Sequence, residues 1–380
     1  MTPEEGRPTI AEVSLAALRH NCREARRLAG AGTGVLAVVK ADGYGHGAVA
    51  AGRAFLEAGA WGLGVSAVAE AVALREAGIG GPIVVLGGAF PGEAAAVVRH
   101  DLDVAVWSLE RAAELARRGQ EANAPVRVHL KVDTGMTRLG VDAEDARPFA
   151  EALLRLEGLR LVGVFSHLAS ADALETEAVR AQLARFRASV AAVQAVGIDI
   201  PLIHLANSAA TLALPEARFT LVRPGLMLYG YPPAPHLAAH AALRPAMRLR
   251  TRIAQLRDVA VGTPVGYGGS WRAQRPSRIA TLPLGYADGY HRLASNRGEM
   301  LLCHRRVPIA GRVCMDHLML DVTEVPQARV GDLVTVFGPQ GPTALGADLV
   351  AGWMDTIPYE VLTSVGARVP RSYAEEFSDA

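Results

Sequence analysis

Lysine is nearly missing from this chain. Of its 380 residues 39 are lysine or arginine, yet only Lys40 and Lys131 are lysines, against 37 arginines. Wherever a cation is merely wanted the sequence uses arginine. The two exceptions therefore point to chemistry that a guanidinium cannot perform: losing a proton near neutral pH, attacking a carbonyl, or forming an imine or carbamate. Cysteine is scarce as well. Cys22, Cys303 and Cys314 are too few and too scattered for a disulfide framework or a zinc site, so no metal is expected and a reducing cytoplasm is the expected setting. No apolar run approaches a membrane-spanning helix, and no apolar stretch follows the polar start Thr2-Pro3-Glu4-Glu5-Gly6-Arg7. A soluble protein without a membrane partner is expected. The formal net charge is +1 with no basic block, which makes nucleic acid a poor candidate partner.

What is present is a long chain that is half apolar, enough for a large core and more than one domain. Short apolar runs begin near Val35, Trp61, Pro82, Val104, Val126, Leu161, Leu202 and Leu221. Between them lie helix-like stretches such as Leu109 to Arg118, Ala143 to Leu156 and Leu174 to Val196. Eight strands with helical crossovers predict an α/β fold, a (β/α)₈ TIM barrel over residues 13–240. A doubly wound open sheet is the alternative, but no Gly-x-Gly-x-x-Gly turn stands where that fold would place it. The proline-rich run from Tyr231 to Pro245 reads as a linker. Beyond it short strand-like runs such as Ser277 to Leu284 and Leu318 to Val322 predict a mainly β domain over residues 241–380, completed by an N-terminal strand within residues 1–12 or just past them, around Thr9 to Val13.

The polar residues that stand out follow the barrel strands. Lys40 ends the first, Lys131-Val132-Asp133-Thr134-Gly135-Met136-Thr137-Arg138 ends the fifth, Ser166-His167 the sixth and His204-Leu205-Ala206-Asn207-Ser208 the seventh, while Arg223-Pro224-Gly225 interrupts the eighth. Strand C-termini of a barrel share one face, so these residues converge there. A lysine at such a place can form a Schiff base directly with a carbonyl substrate, or it can hold pyridoxal phosphate. The second reading needs phosphate donors, which Tyr44, Ser208, the turn at Gly225 and Tyr359 could supply, and a partner for the ring nitrogen, which Arg223 could be.

These motifs, Ala37-Val38-Val39-Lys40-Ala41-Asp42-Gly43-Tyr44-Gly45-His46-Gly47 first among them, together with Gly285-Tyr286-Ala287-Asp288-Gly289, resemble in order and spacing those of the bacterial alanine racemases. The resemblance covers essentially the whole chain. It implies a pyridoxal phosphate enzyme that interconverts L- and D-alanine and supplies D-alanine for peptidoglycan, with Lys40 holding the cofactor as an imine and acting as one base, and Tyr267 acting as the other. It further implies that Tyr44, Arg138, His167, Asn207, Ser208, Arg223, Gly225, Leu226 and Tyr359 bind the cofactor. Arg138, Met315, Asp316 and Tyr286 would border the substrate, and Lys131 would be carbamylated to orient Arg138. His204 resembles the histidine that backs the arginine at the ring nitrogen. The family's assembly is a head-to-tail homodimer with shared sites. Tyrosine has an ordinary pKa near ~10, so a basic Tyr267 needs neighbouring cations or hydrogen bonds, and a network with His167 and Arg223 would provide them. A non-catalytic pyridoxal phosphate carrier would lack the β domain, and barrel decarboxylases of basic amino acids place an acid at the ring nitrogen. Alanine against serine is a small difference in a pocket, so a broader amino-acid racemase is the remaining alternative.

Overall fold

In the computed structural model, which describes residues 6–174 and 177–378, eight short strands of one unit run parallel and in sequence around a barrel. They are β1 (Gly34–Val38), β2 (Gly62–Val65), β3 (Ile83–Val85), β4 (Asp103–Val106), β5 (Val126–Asp133), β6 (Leu159–Phe165), β7 (Leu202–His204) and β8 (Leu221–Val222). Each neighbours the next, and β8 returns to pair with β1 through Leu221 and Gly34. Between β7 and β8 the Thr220 amide donates to the Ile203 carbonyl at 3.1 Å and the Arg223 amide to the Ala206 carbonyl at 2.8 Å, which nearly closes the ring. β-branched runs such as Ile83-Val84-Val85 are buried on both faces, because helices cover the outside of a parallel sheet while side chains fill its interior.

The strand starts fall within two residues of those expected from the sequence. The helix expected over Ala143 to Leu156 divides into a 3₁₀ turn, Ala143–Asp145, and an α-helix, Ala146–Leu154, that carries Pro148 in its first turn where no amide donor is needed. The helix expected from Leu174 spans Glu177–Gln194. Glu175 and Thr176 lie outside the described residues, as do Thr2 to Glu5 of the polar start. The proline-rich stretch is not bare linker, since Pro235–His240 forms a 3₁₀ turn that buries Leu237.

The second unit consists of the chain up to Ala17, the four residues Tyr44–Gly47, and everything from Pro245 onward. Its main sheet runs Arg305–Pro308, Glu299–Leu302, Leu333–Gln340, Met247–Arg252, Ile10–Ser14 and Arg371–Ala374, all antiparallel except the last pair. A three-stranded sheet of Gln255–Val259, Ser277–Leu282 and Leu318–Asp321 stands beside it in sequence. Glu12 ties the N-terminal strand to its neighbour by pairing with Arg248 at 2.7 Å and with Arg250. Among the described residues no helix is long and apolar enough to cross a membrane.

Candidate active site

The segment after β1 does not simply end a strand. Regular pairing stops at Val38, whose carbonyl accepts the buried Tyr229 hydroxyl at 2.9 Å, and Lys40 opens a left-handed turn. Ala41 (φ 52°, ψ 52°) and Asp42 (φ 51°, ψ 48°) adopt the left-handed helical conformation, as does Gly43. That conformation costs an L-residue roughly 1–2 kcal/mol. Two carboxylates hold it. Glu70 accepts the Ala41 amide on one oxygen at 2.7 Å and the Ser66 and Ala67 amides on the other at 2.8 and 3.2 Å, while Asp42 accepts the Ala48 amide at 2.9 Å. The expectation that Lys40 ends the strand is therefore corrected: it sits on a rigid, strained turn two residues beyond. Its side chain keeps a solvent-exposed surface, yet protein crowds its ammonium on most sides. That burial, and then the Arg138 guanidinium, push its pKa below the ordinary lysine value against an opposing pull from Glu70.

β5 carries the second lysine. Lys131 is buried, with its ammonium 4.4 Å from the Phe165 ring centroid. Burial first, then Arg223 and Arg138, bring its pKa down to about 7. Asp133 folds the following loop by accepting the amides of Gly135 and Met136 at 2.8 and 2.9 Å, and that loop carries Arg138, which is exposed and makes no ion pair with a described residue. Lys131, Arg138, Ser166 and His167 line one small cavity. Gln182 reaches from the helix after β6 to the His167 carbonyl at 3.2 Å and the Ala169 amide at 2.9 Å, which fixes the loop behind that cavity.

Arg223 is the most constrained group of the site. Its Nη2 donates to the carbonyls of Ser166 at 2.6 Å and Leu205 at 3.2 Å, and to His167 Nδ1 at 3.4 Å, while Nη1 donates to His204 Nδ1 at 3.1 Å. Nε makes no hydrogen bond with a described residue. Burial alone lowers the guanidinium pKa to about 9, which leaves it charged at neutral pH. Both histidines are held far below their ordinary pKa, by burial and then by Arg223, so each is neutral and accepts. The expected Asn207 and Ser208 open a short helix. Asn207 caps it by accepting the Ala210 amide at 3.1 Å, and the buried Ser208 hydroxyl accepts the Gly225 amide at 2.8 Å. Leu226 is buried beside that turn.

The barrel unit thus gathers Lys40, Lys131, Arg138, His167, His204, Asn207, Ser208, Arg223, Gly225 and Leu226. The remaining expected residues belong to the other unit. Tyr44 and Tyr359 face each other there at 6.0 Å between ring centroids, and burial raises the Tyr44 pKa. Tyr267 is 70% exposed, Met315 52% and Tyr286 43%. The loops that carry Met315 and Tyr286 are tied together, for the Tyr286 amide donates to the Cys314 carbonyl at 3.0 Å and the Ala287 amide to that of Met315 at 3.1 Å. Only glycine fits at Gly285, because an added Cβ would run into both carbonyls. Asp316 is not a free carboxylate. Arg368 bonds it at 2.7 Å and holds its pKa below the usual range, and the same arginine bonds the buried Asp288, which Arg7 also grips.

Sequence reasoning missed Glu70, the left-handed turn and His129. Of these only His129 carried a signal: Arg127, His129, Lys131 and Asp133 alternate with Val126, Val128, Leu130 and Val132, which puts all four polar residues on one face of β5.

The chain matches the family model described as alanine racemase, N-terminal domain, over residues 13–233, and that described as alanine racemase, C-terminal domain, over residues 246–373. It is 46% identical to the alanine racemase of Desulfovibrio desulfuricans over 97% of this chain and 99% of that one. It is 44% identical to the alanine racemase of Geobacter sulfurreducens over 97% and 98%. Among solved structures it resembles the alanine racemase of Streptomyces lavendulae with a TM-score of 0.92 at 37% identity, covering 97% of each chain. It also resembles that of Bacillus anthracis with bound L-Ala-P, with a TM-score of 0.91 at 34% identity over 97% and 95%.

Replacing Glu70 by alanine removes the acceptor of three amides at once. A loss of about 2–3 kcal/mol is expected, the scale of a hydrogen bond to a charged group, with faster hydrogen exchange at Ala41, Ser66 and Ala67. Unchanged exchange at Ala41 would show that the turn holds itself.

Proposed function

The chain belongs to the alanine racemase family and interconverts L- and D-alanine with pyridoxal phosphate, and from that premise we propose that Lys40 and Tyr267 are its two proton-handling groups, serving opposite faces of the substrate. The observation that carries the proposal is the pair of Lys40 on its pinned turn and Arg223 with one unused donor in the same unit. The residues fit the cofactor. Lys40 offers an amine for its aldehyde, the Ser208 hydroxyl and the Gly225–Leu226 turn offer buried polar groups for its phosphate, and Arg223 Nε offers a donor for its ring nitrogen. When bound, pyridoxal phosphate supplies a conjugated electron sink that acidifies the α-hydrogen of alanine.

The protein then has to move protons and limit what else can happen. Arg223, charged at neutral pH, would donate to the ring nitrogen without surrendering its proton, and so would hold the ring neutral and a weak electron sink. That would favour prompt return of a proton to Cα over side reactions. Lys40, with its pKa pushed down, has an amine able to take that proton. Racemisation also requires a group on the opposite face, the role assigned to Tyr267. Its 70% exposure on its own chain supports a head-to-tail homodimer in which each site takes Tyr267 of the partner subunit.

Lys131 has a separate task. Burial and the neighbouring arginines bring its pKa down to about 7 and so favour the uncharged amine, and an uncharged amine attacks carbon dioxide to form an N–C bond, lose a proton to solvent and become an anionic carbamate. That anion turns a repulsive neighbour of Arg138 into an attractive one, and Arg138 is left free to bind the substrate carboxylate.

Three outcomes test these assignments. In deuterated water, Tyr267→Phe should let D-alanine lose its α-hydrogen faster than it inverts while L-alanine stays nearly inert, and equal exchange of both enantiomers would overturn the assignment of faces. Heterodimers of Lys40→Ala and Tyr267→Phe chains should recover activity through one restored site, whereas verified heterodimers no more active than the parents would place both residues in one chain. Lys131→Ala should lower kcat/KM about tenfold or more, matching ~1.5–3 kcal/mol for one charge-assisted contact. Added acetate should restore part of it, and an unmodified Lys131 in the fully active enzyme would refute the carbamate.

A further inference from the structure

Four buried side chains stand end to end through the barrel. Asp103 begins β4, His129 sits midway along β5, His204 ends β7, and Arg223 follows β8, so the row climbs from the N-terminal to the C-terminal end of the strands. Arg223 Nη1 meets His204 Nδ1 at 3.1 Å, His204 Nε2 meets His129 Nδ1 at 3.0 Å, and His129 Nε2 meets an Asp103 oxygen at 3.3 Å. Asp103 is 2% exposed, both histidines are fully buried, and Arg223 is 5% exposed. The other Asp103 oxygen accepts Arg127 Nε at 2.6 Å.

The proton positions of this row follow from its ends. A guanidinium can only donate, so His204 Nδ1 must be bare and its proton must lie on Nε2. That proton points at His129 Nδ1, which must be bare in turn, and the proton on His129 Nε2 points at a carboxylate. Every donor meets one acceptor in one direction. Were His129 an imidazolium, or protonated on Nδ1, His204 would have to accept on Nε2 and turn an N–H against the arginine.

The fold makes room for the row. β5 and β6 slip register between Val128 and His129, where Val128 faces Leu161 but His129 faces Gly163. An added Cβ at Gly163 would collide with the His129 ring, so glycine is the residue that admits it. Phe165 stacks flat on His204 with ring centroids 4.7 Å apart, which fixes the second ring.

We propose that Asp103 and His129 are positioning residues for the racemase: through His204 they lock the tautomer that presents a bare nitrogen to Arg223 and so hold its guanidinium aimed as a donor. The idea rests on the reading that Arg223 serves the cofactor, but the tautomers can be observed without it. In holoenzyme labelled with ¹⁵N-histidine, nitrogen chemical shifts should report His129 and His204 as neutral rings protonated on Nε2. His204 protonated on Nδ1, or as an imidazolium, in the unaltered holoenzyme would overturn the proposal without any variant.

Variants then separate aiming from mere filling of space. His129→Phe keeps a ring but offers no acceptor, so the His204 Nε2–H should lose its hydrogen-bonded shift signature and kcat should fall about tenfold with KM changed less than threefold. His129→Asn carries an oxygen where Nδ1 stood and should restore both the His204 signature and most of kcat. Equal kcat in the phenylalanine and asparagine variants, or an unchanged His204 signature in folded His129→Phe, would overturn the positioning role. If that hydrogen bond is lost while kcat stands, and Arg223→Gln is equally harmless, the fault lies instead in the reading of Arg223.

Discussion

A positive charge buried in a barrel is the constraint on which the site depends. The Arg223 guanidinium gives up its hydration and recovers it from carbonyls after β6 and β7 and from two neutral imidazoles. Each partner must therefore be an acceptor, and each must be fixed, because an unpaired buried charge costs several kcal/mol. This explains why His167 and His204 are neutral, why Gln182 pins the loop of His167, and why an aromatic ring lies flat on His204. Lys131 feels the same charge, and its depressed pKa is part of the same arrangement. The cation proposed to face the cofactor's ring nitrogen thus also helps to lower the pKa of a neighbouring lysine.

The opposite design is used where Lys40 stands. Lys40 is held by backbone, on a turn of left-handed residues whose Ala41 amide is captured by Glu70. Such strain persists only where the surroundings over-determine it. The consequence is a lysine whose root is pinned by backbone while protein crowds its ammonium.

Much of this was legible in the sequence. A parallel barrel buries both faces of each strand, so its strands appear as short apolar runs, and all eight were visible. The near absence of lysine singled out Lys40 and Lys131 before any geometry was known. What stayed hidden was set by tertiary contacts. Nothing local in Lys40-Ala41-Asp42-Gly43 demands a left-handed turn, since alanine and aspartate ordinarily avoid it, and the carboxylate that holds it lies 29 residues away. The return of Tyr44–Gly47 to the other unit could not be read from a linear pattern either. The polar face of β5 was readable but ambiguous, because alternation ordinarily marks a solvent-facing side, whereas here His129 and Lys131 face inward. In the other unit Asp316 shows the reverse case: its motif was plain, but its partner Arg368 lies 52 residues on and changes a free carboxylate into an anchored one.

The account turns on whether Arg223 leaves the cofactor's ring nitrogen unprotonated. The most direct measurement is the ¹⁵N chemical shift of that nitrogen in enzyme reconstituted with ring-labelled pyridoxal phosphate, compared between the unaltered protein and Arg223→Glu. The account predicts the shift of a neutral, hydrogen-bonded pyridine in the first and of a protonated pyridinium in the second. A pyridinium shift in the unaltered enzyme, or the same shift in both, would contradict it.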